Sequence, residues 1–138
     1  MKSMPVTAAR IVLGLVFLVF GLNGFLHFIP MGSMGAGAAA FFGGLAASGY
    51  FLPLLFGAQT LGGVALLTGR FVPLALVVLA PVIVNIVAFH LFLTPASTLG
   101  VPILVLALEG FLAWSYRAAF RPMVGARAGL DGGELRRA

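Results

Sequence analysis

The sequence predicts an all-α integral membrane protein, a four-helix bundle with a short interfacial helix in the first outer loop. Of its 138 residues, 62% are hydrophobic and only 8% are charged, which is too little charge to cover a soluble domain. The mean hydropathy of +1.17 agrees with this class. The apolar residues also form long runs, and a membrane span needs about 20 of them to cross roughly 30 Å.

Four apolar runs fit into one membrane domain over residues 1–122. We expect spans at about 8–28, 52–68, 71–93 and 99–120. Pro30 follows the first run, Gly69 and Arg70 form the turn after the second, and Pro95 lies in the turn after the third. Pro81 interrupts the third run, where it should kink the helix or free a carbonyl one turn earlier.

The remaining segments are expected to lie outside the spans. Residues 31–50 are rich in Gly and Ala and too broken for a span. A short helix at about 38–47 is expected there. It could cover the polar residues of the spans that are described below, or it could lie on the lipid surface. Residues 123–138 predict a flexible, basic tail.

The basic residues predict the orientation of the chain. They precede the first run, separate the second from the third, or follow the fourth: Lys2, Arg10, Arg70, Arg117, Arg121, Arg127, Arg136 and Arg137. By the positive-inside rule, both termini are cytoplasmic. The net charge of +5 then indicates orientation and attraction to anionic membrane lipids, and we expect no nucleic-acid partner.

Several kinds of chemistry are excluded by residue type. The chain has no cysteine, which rules out disulfides, thiolate catalysis, Cys-ligated iron–sulfur clusters and Cys zinc sites. We find no haem-binding pattern, nucleophile with an adjacent base, phosphate-binding loop, Rossmann fingerprint or paired-acid motif. The sequence therefore contains no self-contained catalytic motif.

Glu109 is the only acidic residue in the first 130 positions, and it lies inside the fourth apolar run. A carboxylate at the centre of a membrane helix costs roughly 2.5–3.5 kcal/mol on insertion, so such groups are usually buried, partnered and functional. We interpret Glu109 as a candidate proton-handling or ligand-anchoring acid. The alternative is a structural carboxyl that bonds to Asn85 or His90 and fixes the helix register.

Five other polar side chains lie within the predicted spans: Asn23, His27, Gln59, Asn85 and His90. At about 1.5 Å per helical residue, all five and Glu109 fall between the midplane and the outer surface. We therefore predict that the six line one shared, water-shielded ligand site. The alternative is that the three amides join helices and that the two histidines are half-solvated interfacial residues. We expect no metal site, because two histidines on different helices are weak evidence for one.

The glycines of the first span suggest close helix contact. Gly14 and Gly21 share one face, roughly opposite Asn23 and His27. That face could pack on a neighbouring helix of the chain, on a partner protein or on a second copy.

Three segments together resemble the DoxX family of small bacterial four-helix membrane proteins. They are GLVFLVFGLNGFLH (14–27), LTGRFVP (67–73) continuing through APVIVNIVAFH (80–90), and LEGFLAW (108–114) followed by Tyr116 and Arg117. The resemblance covers nearly the whole chain apart from the tail and implies a place in the bacterial inner membrane. Members often have an acid where this chain has Gln59. Relatives are tied to thiosulfate:quinone oxidoreductase as a membrane subunit and to oxidative-stress complexes, and the fold is similar to animal chaperones of receptor assembly.

Three functions follow as hypotheses. The first is a redox-associated membrane subunit that binds a quinone or similar lipophilic molecule, with electrons supplied by a soluble or membrane redox partner. The second is a non-enzymatic assembly protein whose glycine faces bind a partner. The third is a small proton-coupled transporter, although no internal repeat is visible.

Overall fold

The computed structural model describes residues 4–29 and 34–125, and every regular element in these ranges is helical. The elements are α1 (Met4–Leu26), α2 (Ala36–Ala47), α3 (Phe51–Thr68), α4 (Val72–Phe92), a 3₁₀ turn (Ala96–Thr98), α5 (Gly100–Ser115) and α6 (Arg117–Phe120). The all-α prediction is confirmed for these residues. Most of the predicted tail, residues 126–138, lies outside the described residues, as do residues 30–33 of the predicted first outer loop.

Three helices, α1, α3 and α4, are long and apolar enough to cross a membrane. They correspond to the first three predicted spans. The fourth predicted span is interrupted: α5 has 16 residues, or about 24 Å, and it ends where Tyr116 leaves helical geometry, with φ −99° and ψ 17°. The four-residue α6 follows directly.

The four longer apolar helices contact one another in a closed ring. α1 packs on α3 and α5, and α4 also packs on α3 and α5. Consecutive helices α3, α4 and α5 are joined by short turns, so they run antiparallel. α3 and α5 therefore face each other across the interior of the ring.

An apolar core fills this ring, and the outer surface is apolar too. Leu13, Leu79 and Leu112, from three different helices, are fully enclosed. On the outside, Leu61 is 73% exposed and Phe71 is 74% exposed. Apolar surface on this scale is disfavoured in water but is what a bilayer solvates. The surface therefore supports membrane insertion.

Glycines allow α1 and α3 to approach at backbone distance. A Cβ built on Gly63 would lie 2.6 Å from the Leu18 backbone nitrogen and 2.8 Å from the Gly14 carbonyl oxygen, so no larger residue fits there. One on Gly21 would lie 2.5 Å from the Thr60 hydroxyl oxygen. The predicted glycine face of α1 packs on α3 within the chain, which is one of the expected alternatives. Contact of the chain with a partner or a second copy stays a prediction.

The helix α2 lies where a short helix is predicted, close to its expected bounds. It contacts α3, and Phe42 packs edge-on against Phe89 of α4 with ring centroids 5.2 Å apart. Phe41 lies 5.6 Å from the same ring. These aromatic contacts attach α2 to the end of α4. Its location at a membrane interface stays a prediction.

The turn between α3 and α4 is built from left-handed backbone. Gly69 has φ 73° and ends α3, and Phe71 has φ 57° and precedes α4. Arg10 of α1 reaches this turn and donates from Nη1 to the carbonyl oxygen of Leu66 at 2.8 Å. A cation at the carboxyl end of a helix is stabilised by the partial negative charge of the free carbonyl groups.

Candidate functional site

Glu109 faces the interior of the ring. It lies in one stripe of α5 with Pro102, Val105 and Leu112, all of them buried. Its side chain is 7% exposed, and Oε2 is enclosed without a hydrogen-bond partner among the described residues. A buried polar atom left unpaired costs about 1–3 kcal/mol, and native structures usually avoid it. This carboxyl is therefore the polar group most in need of an explanation.

Gln59 lies on the inward face of α3. It shares that face with Gly62, Gly63 and Leu66, and it is also 7% exposed. Gly63, one turn further along, brings the backbones of α1 and α3 together and so fixes the direction of this face. In the part of the chain that the structure describes, the Gln59 amide makes no hydrogen bond. Its donor and acceptor are therefore available to a guest molecule.

Gln59 and Glu109 lie at the same depth in the ring. Gln59 is eight residues from the start of α3, and Glu109 is nine residues from the start of α5. These offsets correspond to about 12 and 14 Å. Both helices start at the same end of the ring because α4 runs between them in the opposite direction. Gln59 and Glu109, both buried and neither bonded through its side chain, thus lie at one level on opposite helices.

Asn23 and His27 have a local role at the end of α1. The backbone N–H of His27 donates to the Asn23 carbonyl oxygen at 2.8 Å, and His27 then turns the chain with φ 53°. The Asn23 side chain is buried, and its Oδ1 accepts the Ile29 backbone N–H at 2.7 Å. His27 itself is exposed. The pair terminates the helix in the way that a left-handed residue commonly does.

Asn85 and His90 bond to the backbone of their own helix. Asn85 is exposed, and its Nδ2 donates to the Pro81 carbonyl oxygen at 3.3 Å. His90 is half-buried, and its Nδ1 lies 2.8 Å from the Ile86 carbonyl oxygen, so Nδ1 carries the proton in this contact. α4 continues through Pro81. The structure shows no bond from Glu109 to Asn85 or His90.

The six predicted site residues do not all face the interior of the ring. Their shared depth does not imply a shared direction, because side chains on a helix point all round its axis. His27 and Asn85 are exposed, and the Oδ1 of the buried Asn23 accepts the Ile29 backbone N–H just beyond α1. Gln59 and Glu109 are the two of the six that are buried and make no side-chain hydrogen bond among the described residues. Ligand contact by any of the six stays a prediction.

No group of three or more His, Cys, Asp or Glu side chains that could hold a metal ion occurs among residues 4–29 and 34–125.

Sequence reasoning used Arg10 only to orient the chain. In the structure it is half-buried, bonds to α3 and keeps an enclosed Nε without a partner among the described residues. The available signal was its position: Arg10 precedes the apolar run but already lies within the predicted first span, 8–28. A charge there needs a polar contact, and the nearest one is the carboxyl end of a neighbouring helix.

No family model, curated protein or solved structure matches this chain.

Proposed function

We propose that the chain is a four-span protein of the bacterial inner membrane, similar to the DoxX family. In this proposal it binds a quinone or another lipophilic molecule as the membrane subunit of a redox system. The enclosed Oε2 of Glu109, for which residues 4–29 and 34–125 supply no hydrogen-bond partner, is the observation that carries the proposal. A guest with a carbonyl or hydroxyl group would satisfy that atom without adding charge to the bundle.

In this proposal, the Glu109 carboxyl and the Gln59 amide match the hydrogen-bonding groups of a quinone. A protonated Glu109 donates to one quinone carbonyl or accepts from a quinol hydroxyl, and the Gln59 amide N–H donates to the opposite carbonyl. Val105 and Leu112, one turn before and after Glu109, provide apolar walls. Ligand sites of this kind are mostly apolar with a few placed polar groups. The carboxyl also supplies a proton during quinone reduction, and a redox partner supplies the electrons.

A fourth span is part of this proposal. From Gly100 to Phe120 the chain is helical except at Tyr116, which gives about 31 Å of path. At the end of that path, the Arg117 guanidinium stacks on Trp114 with 4.3 Å from Cζ to the ring centroid. Trp beside Arg is typical of the membrane interface.

Cysteine labelling tests the fourth span. Because the chain has no cysteine, the single variants Ser97→Cys and Met123→Cys each carry one thiol, and both positions are exposed. A membrane-impermeant maleimide should label them from opposite sides of sealed vesicles. Labelling of both from the same side would show that α5 and α6 do not cross, leaving three spans.

Quinone binding is tested on protein extracted in native lipid. We expect co-purified quinone, and a Kd for decylubiquinone that rises about tenfold in Glu109→Leu, the upper end of what one neutral hydrogen bond contributes. Glu109→Gln keeps a donor and should lose less. Asn85→Leu is the matched control, since this amide is exposed and bonded to its own helix. Absence of quinone together with an affinity independent of Glu109 would reject the proposal.

One observation favours an interaction protein as the second candidate. Gly110 lies on the exposed side of α5, and a Cβ built there meets nothing within 4 Å. Exposed glycines let a partner helix approach closely in a membrane. If the chain is an interaction protein, Gly110→Leu should abolish co-purification of the partner, whereas Glu109→Leu should leave it unchanged.

A further inference from the structure

An open groove runs along the outside of the ring between α3 and α4. Its volume is about 460 Å³, within the range of about 300–1,000 Å³ common for small-molecule sites. Leu54, Gly57 and Leu61 line it from α3, Leu74 and Val78 line it from α4, and Phe71 lines it from the turn before α4. None of its lining residues has a polar side chain. This groove is separate from Gln59 and Glu109, which face the interior.

The length of the groove corresponds to one membrane leaflet. Along α3 its lining residues extend from Pro53 to Ala65, twelve residues apart or about 18 Å. Half of a hydrocarbon layer of roughly 30 Å is about 15 Å. An apolar channel of this length, open on the lipid side, fits a single extended acyl chain.

Positive charge lies at one end of the groove. Phe71 lines that end, and the preceding residue, Arg70, is exposed. Among the described residues the only acid is Glu109, which is buried on another helix, so nothing there neutralises Arg70. Arg10 adds a second guanidinium at the same turn, because a Cβ on Gly69 would lie 2.6 Å from its Nη1. The first backbone N–H groups of α4 also point out of the helix at this turn.

We propose that this groove binds one anionic phospholipid, with an acyl chain between α3 and α4 and the phosphate paired with Arg70. The occupant is a lipid rather than a water-soluble anion because the walls are apolar over a full leaflet. The charge at the turn selects a negative headgroup over a zwitterionic one. The inference does not depend on quinone binding.

Native mass spectrometry of the full chain in detergent tests this site. Phosphatidylglycerol and phosphatidylcholine with identical acyl chains are the probes. We expect Arg70→Gln to weaken phosphatidylglycerol binding about fivefold, the effect of one basic residue near a membrane surface, and to leave phosphatidylcholine unchanged. Gly57→Leu should weaken both lipids. A Cβ at Gly57 has open space, so the leucine fills the groove without distorting α3.

Two variants away from the groove are the controls. Gly110→Leu adds the same side chain at an open position on α5, and Arg121→Gln removes an exposed charge at the end of α6. Both should bind lipid as the wild type does. Unchanged phosphatidylglycerol binding in Arg70→Gln, or lipid binding in Gly57→Leu equal to that in Gly110→Leu, would overturn the proposal. A dimer that persists without lipid and disappears in Gly57→Leu would assign the groove to a second copy instead.

Discussion

The carboxyl end of α1 and the inward face of α5 each bury one polar side chain to the same extent, but they differ in what those side chains bond to. Asn23 and Glu109 are both 7% exposed. The Asn23 Oδ1 accepts a backbone N–H six residues further along, whereas the Glu109 Oε2 accepts nothing from the described residues. Burial alone therefore does not mark a site. A buried group that the fold leaves unsatisfied needs an explanation, and a bound guest is the one proposed for Glu109.

The largest loss of stability is expected where the backbones of α1 and α3 approach most closely. Gly63→Leu would place a side chain within 3 Å of the α1 backbone, where nothing flexible can move aside. Overpacking usually costs 1–3 kcal/mol, and a backbone clash should exceed about 3 kcal/mol. SDS-titration unfolding of the purified variant measures the loss, with Gly110→Leu as the open-space control. Equal stability of the two variants would show that α1 and α3 do not make this contact.

A smaller loss is expected at the contact between α1 and the end of α3. Arg10→Met keeps the length of the side chain but removes the bond to Leu66. Hydrogen bonds of charged groups contribute about 1.5–3 kcal/mol. We expect the free energy of unfolding to fall by about 2 kcal/mol in the same assay. The loss is not larger because the substitution also removes the buried Nε, which has no partner among the described residues. Arg121→Met, which removes an exposed charge, should change stability little; a similar loss in both would mean that only overall charge matters.

The smallest stability changes are expected at two asparagines, one buried and one exposed. Asn23→Ala removes a buried 2.7 Å bond that closes α1, and Asn85→Ala removes an exposed 3.3 Å bond. A typical net hydrogen bond is worth about 1 kcal/mol, so Asn23→Ala should lose about that much. Asn85→Ala should stay within about 0.5 kcal/mol of the wild type. The reverse ranking would place Asn85, not Asn23, in the interior.

Composition and apolar run length were enough to predict the helical class and three helices able to cross a membrane. Positions of turns followed from Gly69 and Pro95 because these residues restrict the backbone locally. The break at Tyr116 was not predictable, since no glycine or proline marks it. Local sequence therefore predicts where these helices start and end better than it predicts where a helix is interrupted.

The site was only partly predictable, because depth can be counted along a helix whereas direction depends on packing. Glu109 and Gln59 were identified from residue type within apolar runs. Asn85 has the same type and depth, yet it points outward and bonds to the Pro81 carbonyl. The helix rotation that decides this is set by contacts such as Gly63 against Gly14, which involve residues distant in sequence. Likewise, the α3–α4 groove arises only once both helices are packed.

The stability of Glu109→Leu, measured without and with decylubiquinone, tests the central claim most directly. If the fold leaves the carboxyl unpaired for a guest, leucine removes a desolvation cost, and the quinone-free variant should be as stable as the wild type or up to about 1 kcal/mol more stable. The stabilisation that quinone gives the wild type should then disappear. A quinone-free variant that loses 2 kcal/mol or more and keeps its response to quinone would contradict the account, because Glu109 would then be a structural carboxyl.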